Sequence, residues 1–245
     1  MEKSLQNEMK QLNEQFRDSL LIDRYDPQID YWQKRRSECN HRETSEDTLV
    51  WNVFRTFNQI DRKLWVEQLF HKAFKQEFTY SAETIEIKLW KKIRPPKSLH
   101  IGEGRTDIDI IIESSDFVWF IEAKYNTDIR LDTDGSKRNE LLRLIDNGTN
   151  YARKRDCYFS LLILDKYNSP MGFRLINEYD DSFEKVKNLL PHRMELPLYN
   201  GLSVMYWKDI QGLFKTIYLY SKNKYERYLA DQASYWLYEK IRDQI

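Results

Sequence analysis

The chain reads as an α/β protein in which a mixed sheet is flanked by helices. Three observations predict this. Two runs, TDIDIIIE (106–113) and FVWFIEAK (117–124), are apolar at nearly every position, as expected of central strands covered on both faces. A third such run, CYFSLLILD (157–165), follows an intervening helical pattern, and amphipathic helices lie on either side of the whole. The order α, β, β, β, α, β, with helices appended at both ends, is that of a layered α/β sandwich. The 245 residues, 41% hydrophobic and 14% aromatic, suffice for one substantial core. A single domain is expected, with a helical extension at 1–42, a core at 43–165 and a mostly helical part at 166–245.

From the N-terminus, Leu5, Met9, Leu12, Phe16 and Leu20 form one apolar stripe on a helix of about five turns, ended by Asp26-Pro27. The stripe packs on its own domain or on a partner; self-association into a homodimer is the second use. Thr44 and Ser45 are N-caps for a helix from Glu46 to Phe57, and Asp61 caps another reaching Phe74. From Thr84 the period changes to two, with Ile85, Ile87 and Leu89 on one face of a strand. Lys91 to Arg105 is expected as a loop around Pro95-Pro96. Residues 137–152 read as a helix ending near Asn147-Gly148 or a little later. A helix near 181–190, a short strand at 203–207 and two helices from Lys208 onward complete the pattern. Tyr225, Leu229, Ala233 and Trp236 are expected to face the core.

Lys and Arg total 39, as do Asp and Glu, so the chain is neither a polycation nor an acidic tail, though local patches remain open. Two cysteines, Cys39 and Cys157, provide neither a disulfide framework nor a zinc cluster and suit a cytoplasmic setting. No apolar run approaches membrane-spanning length and no signal-like apolar region opens the chain, so a soluble protein is expected. His41, His71, His100 and His192 are dispersed without ligand spacing, which argues against a histidine metal site or a Ser/His triad. Gly102-x-Gly104 is a turn, because no helix pattern follows it.

The informative feature lies in the two central strands. Asp109 opens the run Ile110-Ile111-Ile112, while Glu122 and Lys124 close the run Val118-Trp119-Phe120-Ile121. Charges inside apolar strands are costly to desolvate without compensation. The strand period of two puts Glu122 and Lys124 on one face, and a two-residue hairpin loop at Ser115-Asp116 sets Asp109 opposite Glu122. Glu-x-Lys occurs three times in the chain, and only at Glu122/Lys124 does it combine an apolar strand with an acid on the preceding strand.

Asp109, a spacer of twelve residues and then Glu122-Ala123-Lys124 resembles the motif of the PD-(D/E)xK nuclease superfamily, with Ile108 where the name has Pro. Glu46, early in the first core helix, and Arg143, on the helix after the third strand, with Glu140 one turn earlier, match further polar positions of that superfamily. The resemblance covers roughly residues 43–165. It implies a restriction-endonuclease-like αβββαβ core and divalent-metal-dependent hydrolysis of nucleic acid, with DNA cut endonucleolytically. It also implies Mg²⁺ or Mn²⁺ held by Asp109, Glu122 and the Ala123 carbonyl. Lys124 would orient or deprotonate the attacking water, and Glu46 would act through a metal-bound water or a second ion. Clustered carboxylates should raise at least one pKa until a cation relieves them.

The plainer readings are a structural ion pair at Asp109/Glu122/Lys124, a helix-dipole acid at Glu46, a salt-bridge partner of Arg105 at Asp107 and a structural Arg143. A non-catalytic nucleic-acid-binding or interaction domain is the alternative function. Two basic segments flank the acidic spot. One carries Lys88, Lys91, Lys92, Arg94, Lys97 and Arg105 against Glu103, and the other carries Lys137, Arg138, Arg143, Arg153, Lys154 and Arg155 against Glu140 and Asp146. Lys91, Lys92, Arg94, Arg105, Arg138 and Arg143 are the candidate contacts to a nucleic-acid backbone. Trp207, Tyr218, Tyr220, Tyr225, Tyr228, Tyr235 and Trp236 form either core or a stacking surface, and their helical spacing favours core.

Overall fold

A computed structural model describes residues 17–29, 46–99, 103–131 and 138–242. Its centre is a five-stranded mixed sheet in the order β1-β2-β3-β4-β5. The strands are β1 (Glu86–Ile93), β2 (Thr106–Glu113), β3 (Phe117–Ala123), β4 (Asp156–Ile163) and β5 (Gly201–Tyr206). β1, β2 and β3 are antiparallel neighbours, whereas β3, β4 and β5 run parallel. β2 and β3 are therefore interior, which is why almost every side chain on them is buried. The Ser114 N–H donates to the Phe117 carbonyl at 2.9 Å, closing a two-residue loop at Ser115-Asp116. The ladder pairs Glu113 with Val118 through Ile110 with Ile121, the register that carries Asp109 to the level of Glu122.

Helices cover both faces. One layer holds α1 (Glu46–Gln59) and α2 (Val66–Phe74), together with α6 (Trp207–Tyr220) and α7 (Lys224–Ile241). The other holds α3 (Glu140–Ala152), α4 (Pro170–Asp180) and α5 (Phe183–Leu189). Aromatic rings fill the first layer: Phe57 stacks on Trp65 and Phe214, and Phe70 meets Phe117, Trp119 and Tyr158. A buried polar chain, Trp119 Nε1 to Ser160 Oγ (2.8 Å) to Ser203 Oγ (2.7 Å), ties β3, β4 and β5 together and satisfies the buried indole N–H.

Several expectations are corrected. β1 runs on to Ile93, so Lys91–Ile93 are strand rather than loop. Trp90 takes a positive φ of 51° and lies level with Asp109, between the pairs Leu89–Ile110 and Lys91–Ile108. The kink shifts the phase of the strand: Ile87, Leu89 and Trp90 pack on the first layer and Ile93 on the second. Stacking of Trp90 on Trp51, with centroids 5.6 Å apart, holds this uncommon geometry.

The helix α4 had no counterpart in the hydrophobic pattern. Its start is set by Pro170 at the first helical position and by Asp128, whose carboxylate accepts from the Met171 and Gly172 N–H groups at 2.8 and 2.9 Å. β5 extends the sheet beyond the stretch expected to hold it, because α4 and α5 carry the chain back to pair parallel with β4.

On α7 the buried positions are Glu226, Ala230, Ala233, Ser234, Leu237 and Ile241, and of the expected stripe Ala233 is buried while Leu229 and Trp236 are half-buried against the same core. Tyr225 is exposed, and so are Tyr218, Tyr220, Tyr228 and Tyr235, whereas Trp207 is fully buried. Tyrosine tolerates either side of a helix, so its spacing decides little. At the N-terminal end, Leu20 is buried, and Asn52 accepts from the Leu21 N–H at 2.8 Å. Asp26 precedes helical residues 27–29 rather than ending a helix, and its carboxylate pairs with Arg55 at 3.1 Å. Leu5, Met9, Leu12 and Phe16, and the caps Thr44 and Ser45, lie outside the described residues. No helix among the described residues is long and apolar enough to cross a membrane.

Gly148 lies inside α3 for a packing reason. A Cβ there would meet the Phe159 ring at 2.5 Å and Phe120 at 3.1 Å. Gly148→Ala is expected to lower stability by about 1–2 kcal/mol, overpacking outweighing the roughly 1 kcal/mol that alanine adds to a helix. Urea unfolding checks this, and an unchanged midpoint would mean that the Phe159 ring yields.

Candidate functional site

The site forms where β3 runs out. Lys124 follows the last strand residue, and its backbone is fixed from both sides: its N–H donates to the Leu162 carbonyl at 2.8 Å and its carbonyl accepts from Trp207 Nε1 at 3.0 Å. Alternation sends Glu122, like Val118 and Phe120, to the face covered by α3, and Asp109 to that same face beside Ile111. Asp109, Glu122 and Lys124 are each 6% exposed. Asp109 Oδ2 accepts from the Ala123 N–H at 2.9 Å, past the end of the paired ladder.

The Lys124 ammonium is the hub. Its Nζ lies 2.7 Å from Glu122 Oε1, 3.4 Å from Glu140 Oε2 and 3.9 Å from Glu46 Oε1. The two outer acids arrive from opposite layers, and each is the first residue of its helix, where a negative charge is favoured. Glu46 Oε2 is steadied by the Tyr125 N–H at 3.2 Å and the Thr127 hydroxyl at 3.1 Å. Glu140 is steadied by the Arg130 N–H at 3.1 Å and its guanidinium at 3.3 Å, while Asn139 caps α3 from the Leu142 N–H.

The electrostatics follow from this crowding. Burial alone would depress Lys124, but the charges of Glu122, Glu46, Glu140 and Asp109 outweigh it and hold the amine well above the ordinary lysine range. Burial and the neighbouring Asp109 push Glu122 well above the usual carboxylate range, in spite of Lys124. Glu46 is also raised, by burial first. Glu140 is opposed by burial but held below its ordinary value by Lys124 and Arg130. Four carboxylates thus face one ammonium and one guanidinium.

Of the other sequence-predicted residues, Arg143 does not reach the acids. It turns to Glu103 (3.5 Å) and Thr106 (3.2 Å), and Glu140 takes the place expected of it. Arg138 is buried in ion pairs with Glu103 and with Asp146 (2.5 Å), so it is no surface contact for a backbone phosphate. Asp107 pairs with Lys92 at 3.4 Å rather than with Arg105. Lys91, Arg94 and Arg105 are exposed. The sequence pointed past Arg130, Thr127 and Tyr125; Asn139-Glu140, an N-cap followed by an acid, was the signal for Glu140. Cys157 is buried, and that burial pushes its thiol far up, consistent with an inert side chain.

Among the described residues no group of three or more His, Cys, Asp or Glu side chains converges in a way that could hold a metal ion. Asp109 and Glu122 offer two carboxylates, with Glu122 Oε1 turned toward Lys124. No protein-family model, no curated protein and no solved structure matches the chain.

A group whose folded pKa is raised holds its proton longer in the native state, so stability falls as pH climbs from its unfolded value of 4.5 toward the folded one. Lys124, also raised, works in another window: its contribution is intact below 10.5 and is lost only as pH rises further. Glu122→Gln is therefore expected to gain on wild type between pH 5 and pH 8 in chelator-containing buffer. The gain is about 1.4 kcal/mol for each tenfold difference in proton affinity removed. Urea unfolding at both pH values measures it, and a gap that does not grow would contradict a raised Glu122.

Proposed function

We propose that the protein is a divalent-cation-dependent phosphodiesterase acting on nucleic acid, and a DNA endonuclease by its resemblance to the PD-(D/E)xK superfamily of restriction-endonuclease-like fold. The observation that carries this reading is the surplus of buried carboxylate around Lys124. Two of these acids, Asp109 and Glu122, come from neighbouring strands at one level. A spot so rich in negative charge calls for a cation, and hard oxygen donors suit Mg²⁺ or Mn²⁺. Magnesium is commonly held by one or two carboxylates with water and substrate phosphate completing its shell, so Asp109 and Glu122 would be enough, with the Ala123 carbonyl as a further oxygen. When bound, such an ion supplies a more acidic water and charge stabilisation at the phosphate.

The chain's own groups divide the remaining work. Lys124, kept protonated by its acids, donates hydrogen bonds to the attacking water or to a phosphate oxygen. Acting as a base requires that its carboxylates be engaged elsewhere first. Glu46 and Glu140 are positioning residues that hold the ammonium between the two helix layers. Exposed Lys91, Arg94 and Arg105 offer charge to the backbone of the substrate. The Glu122–Lys124 contact at 2.7 Å favours a second reading, a non-catalytic nucleic-acid-binding domain with a self-contained ion pair.

Cleavage of plasmid and linear DNA, titrated with Mg²⁺ or Mn²⁺ after chelation, separates the two. Metal-stimulated cutting is expected in wild type, with a loss of about a hundredfold or more in Lys124→Ala and Asp109→Ala. The same metals should raise the melting temperature of wild type and not that of Asp109→Ala. Equal thermal responses, or cutting that persists in Lys124→Ala, would remove the enzyme reading.

A further inference from the structure

The two basic segments of the sequence meet in one groove. It has a volume of about 560 Å³ and is lined by Lys92, Ile93 and Arg94 from the end of β1 and by Asn150, Tyr151, Arg153 and Arg155 from the end of α3, with Ser114 and Ser115 from the β2–β3 turn. No acidic residue lines it. Ile93 and Tyr151 place it on the sheet face covered by α3, the face to which alternation sends Asp109 and Glu122.

Two of the four cations are neutralised from behind, Lys92 by Asp107 at 3.4 Å and Arg155 by Glu113 at 2.6 Å. Arg94 and Arg153 are exposed and pair with no carboxylate among the described residues. A helix C-terminus favours Arg153 and Arg155 on its own account. It explains nothing about Arg94, which comes from a different element and adds its charge to the same groove. Arginine forks with open donors and serine hydroxyls are groups that hold phosphate oxygens, while the Tyr151 ring is already covered by the Arg155 guanidinium, 5.1 Å from its centroid.

We propose that this groove between β1 and α3 is a channel for the phosphodiester backbone of a nucleic acid, which it grips at Arg94 and Arg153. The inference rests on the phosphodiester reading of the acidic site and adds to it where the strand travels.

The test uses the full chain in chelator, so that binding is read without cutting. Fluorescein-labelled single-stranded and duplex oligonucleotides are titrated by anisotropy at several salt concentrations against wild type, Arg94→Gln/Arg153→Gln and a control pair on the other layer, Lys72→Gln/Lys215→Gln. Each lost phosphate contact flattens the dependence of log affinity on log salt by about one, so the groove pair should flatten it by about two and weaken binding roughly tenfold. The control pair should bind as wild type does. Equal binding by wild type and the groove pair, equal weakening by the control pair, or no binding at all would each overturn the channel. Metal-dependent cutting is scored separately. Cutting with groove-independent binding discards the channel and leaves the hydrolase, whereas groove-dependent binding without cutting does the reverse.

Discussion

A buried ammonium dictates the arrangement around it. Lys124 sits at the end of an interior strand, where solvation is poor, and an isolated charge there would cost several kcal/mol. Its three acid neighbours repay that cost, and they come from a strand, from α1 and from α3, so the two helix layers and the sheet are locked to one another through a single side chain. The carboxylates outnumber what one lysine neutralises. The surplus shows as a raised Glu122, and the fold meets it with hydrogen bonds from Arg130, Thr127 and the Tyr125 and Ala123 amides. Such an arrangement is stable as a whole and sensitive to the loss of any member.

A second charged knot shows the contrast. Asp146, fully buried on α3, takes ion pairs from Arg138 (2.5 Å) and Arg193 (2.9 Å) and lies within hydrogen-bond distance of His192 Nε2 (2.8 Å), and Arg138 also holds Glu103. There cations match or exceed the acids, which ties the loop after α5 to α3 and leaves nothing to recruit a further cation. Burial and charge are common to both knots; the balance between signs differs, and the balance sets what each can attract.

Much of the first knot was legible in the chain itself. Strand alternation and a two-residue turn place Asp109, Glu122 and Lys124 on one face without any knowledge of tertiary structure. Glu46 was legible through the resemblance, which expects a glutamate early in the first core helix; its place at a helix N-terminus alone accounted for it as a plain dipole acid. Arg143 and Arg138 were misplaced because helical spacing shows which residues share a face but not which partner waits opposite; Thr106 and Glu103 captured them. The end of α3 was blurred by Gly148, a residue weak in helices that is required here by the approach of Phe159. On α7, Tyr225 shares the spacing of the core-facing Leu229, Ala233 and Trp236 but lies on the outer face. These failures share a cause, since each depended on a contact between segments far apart in sequence.

The kink at Trp90 has an effect that reaches beyond the fold of one molecule. Among the described residues β1 is an edge strand, with one row of its backbone groups unpaired within the sheet. A straight edge of this kind is a template on which other chains can extend into aggregates. The left-handed turn at Trp90 interrupts that template in the middle, and exposed Lys91 places a positive charge beside the turn. A second copy approaching edge to edge would meet this kink midway along the strand, which makes the edge a poorer template than a straight one.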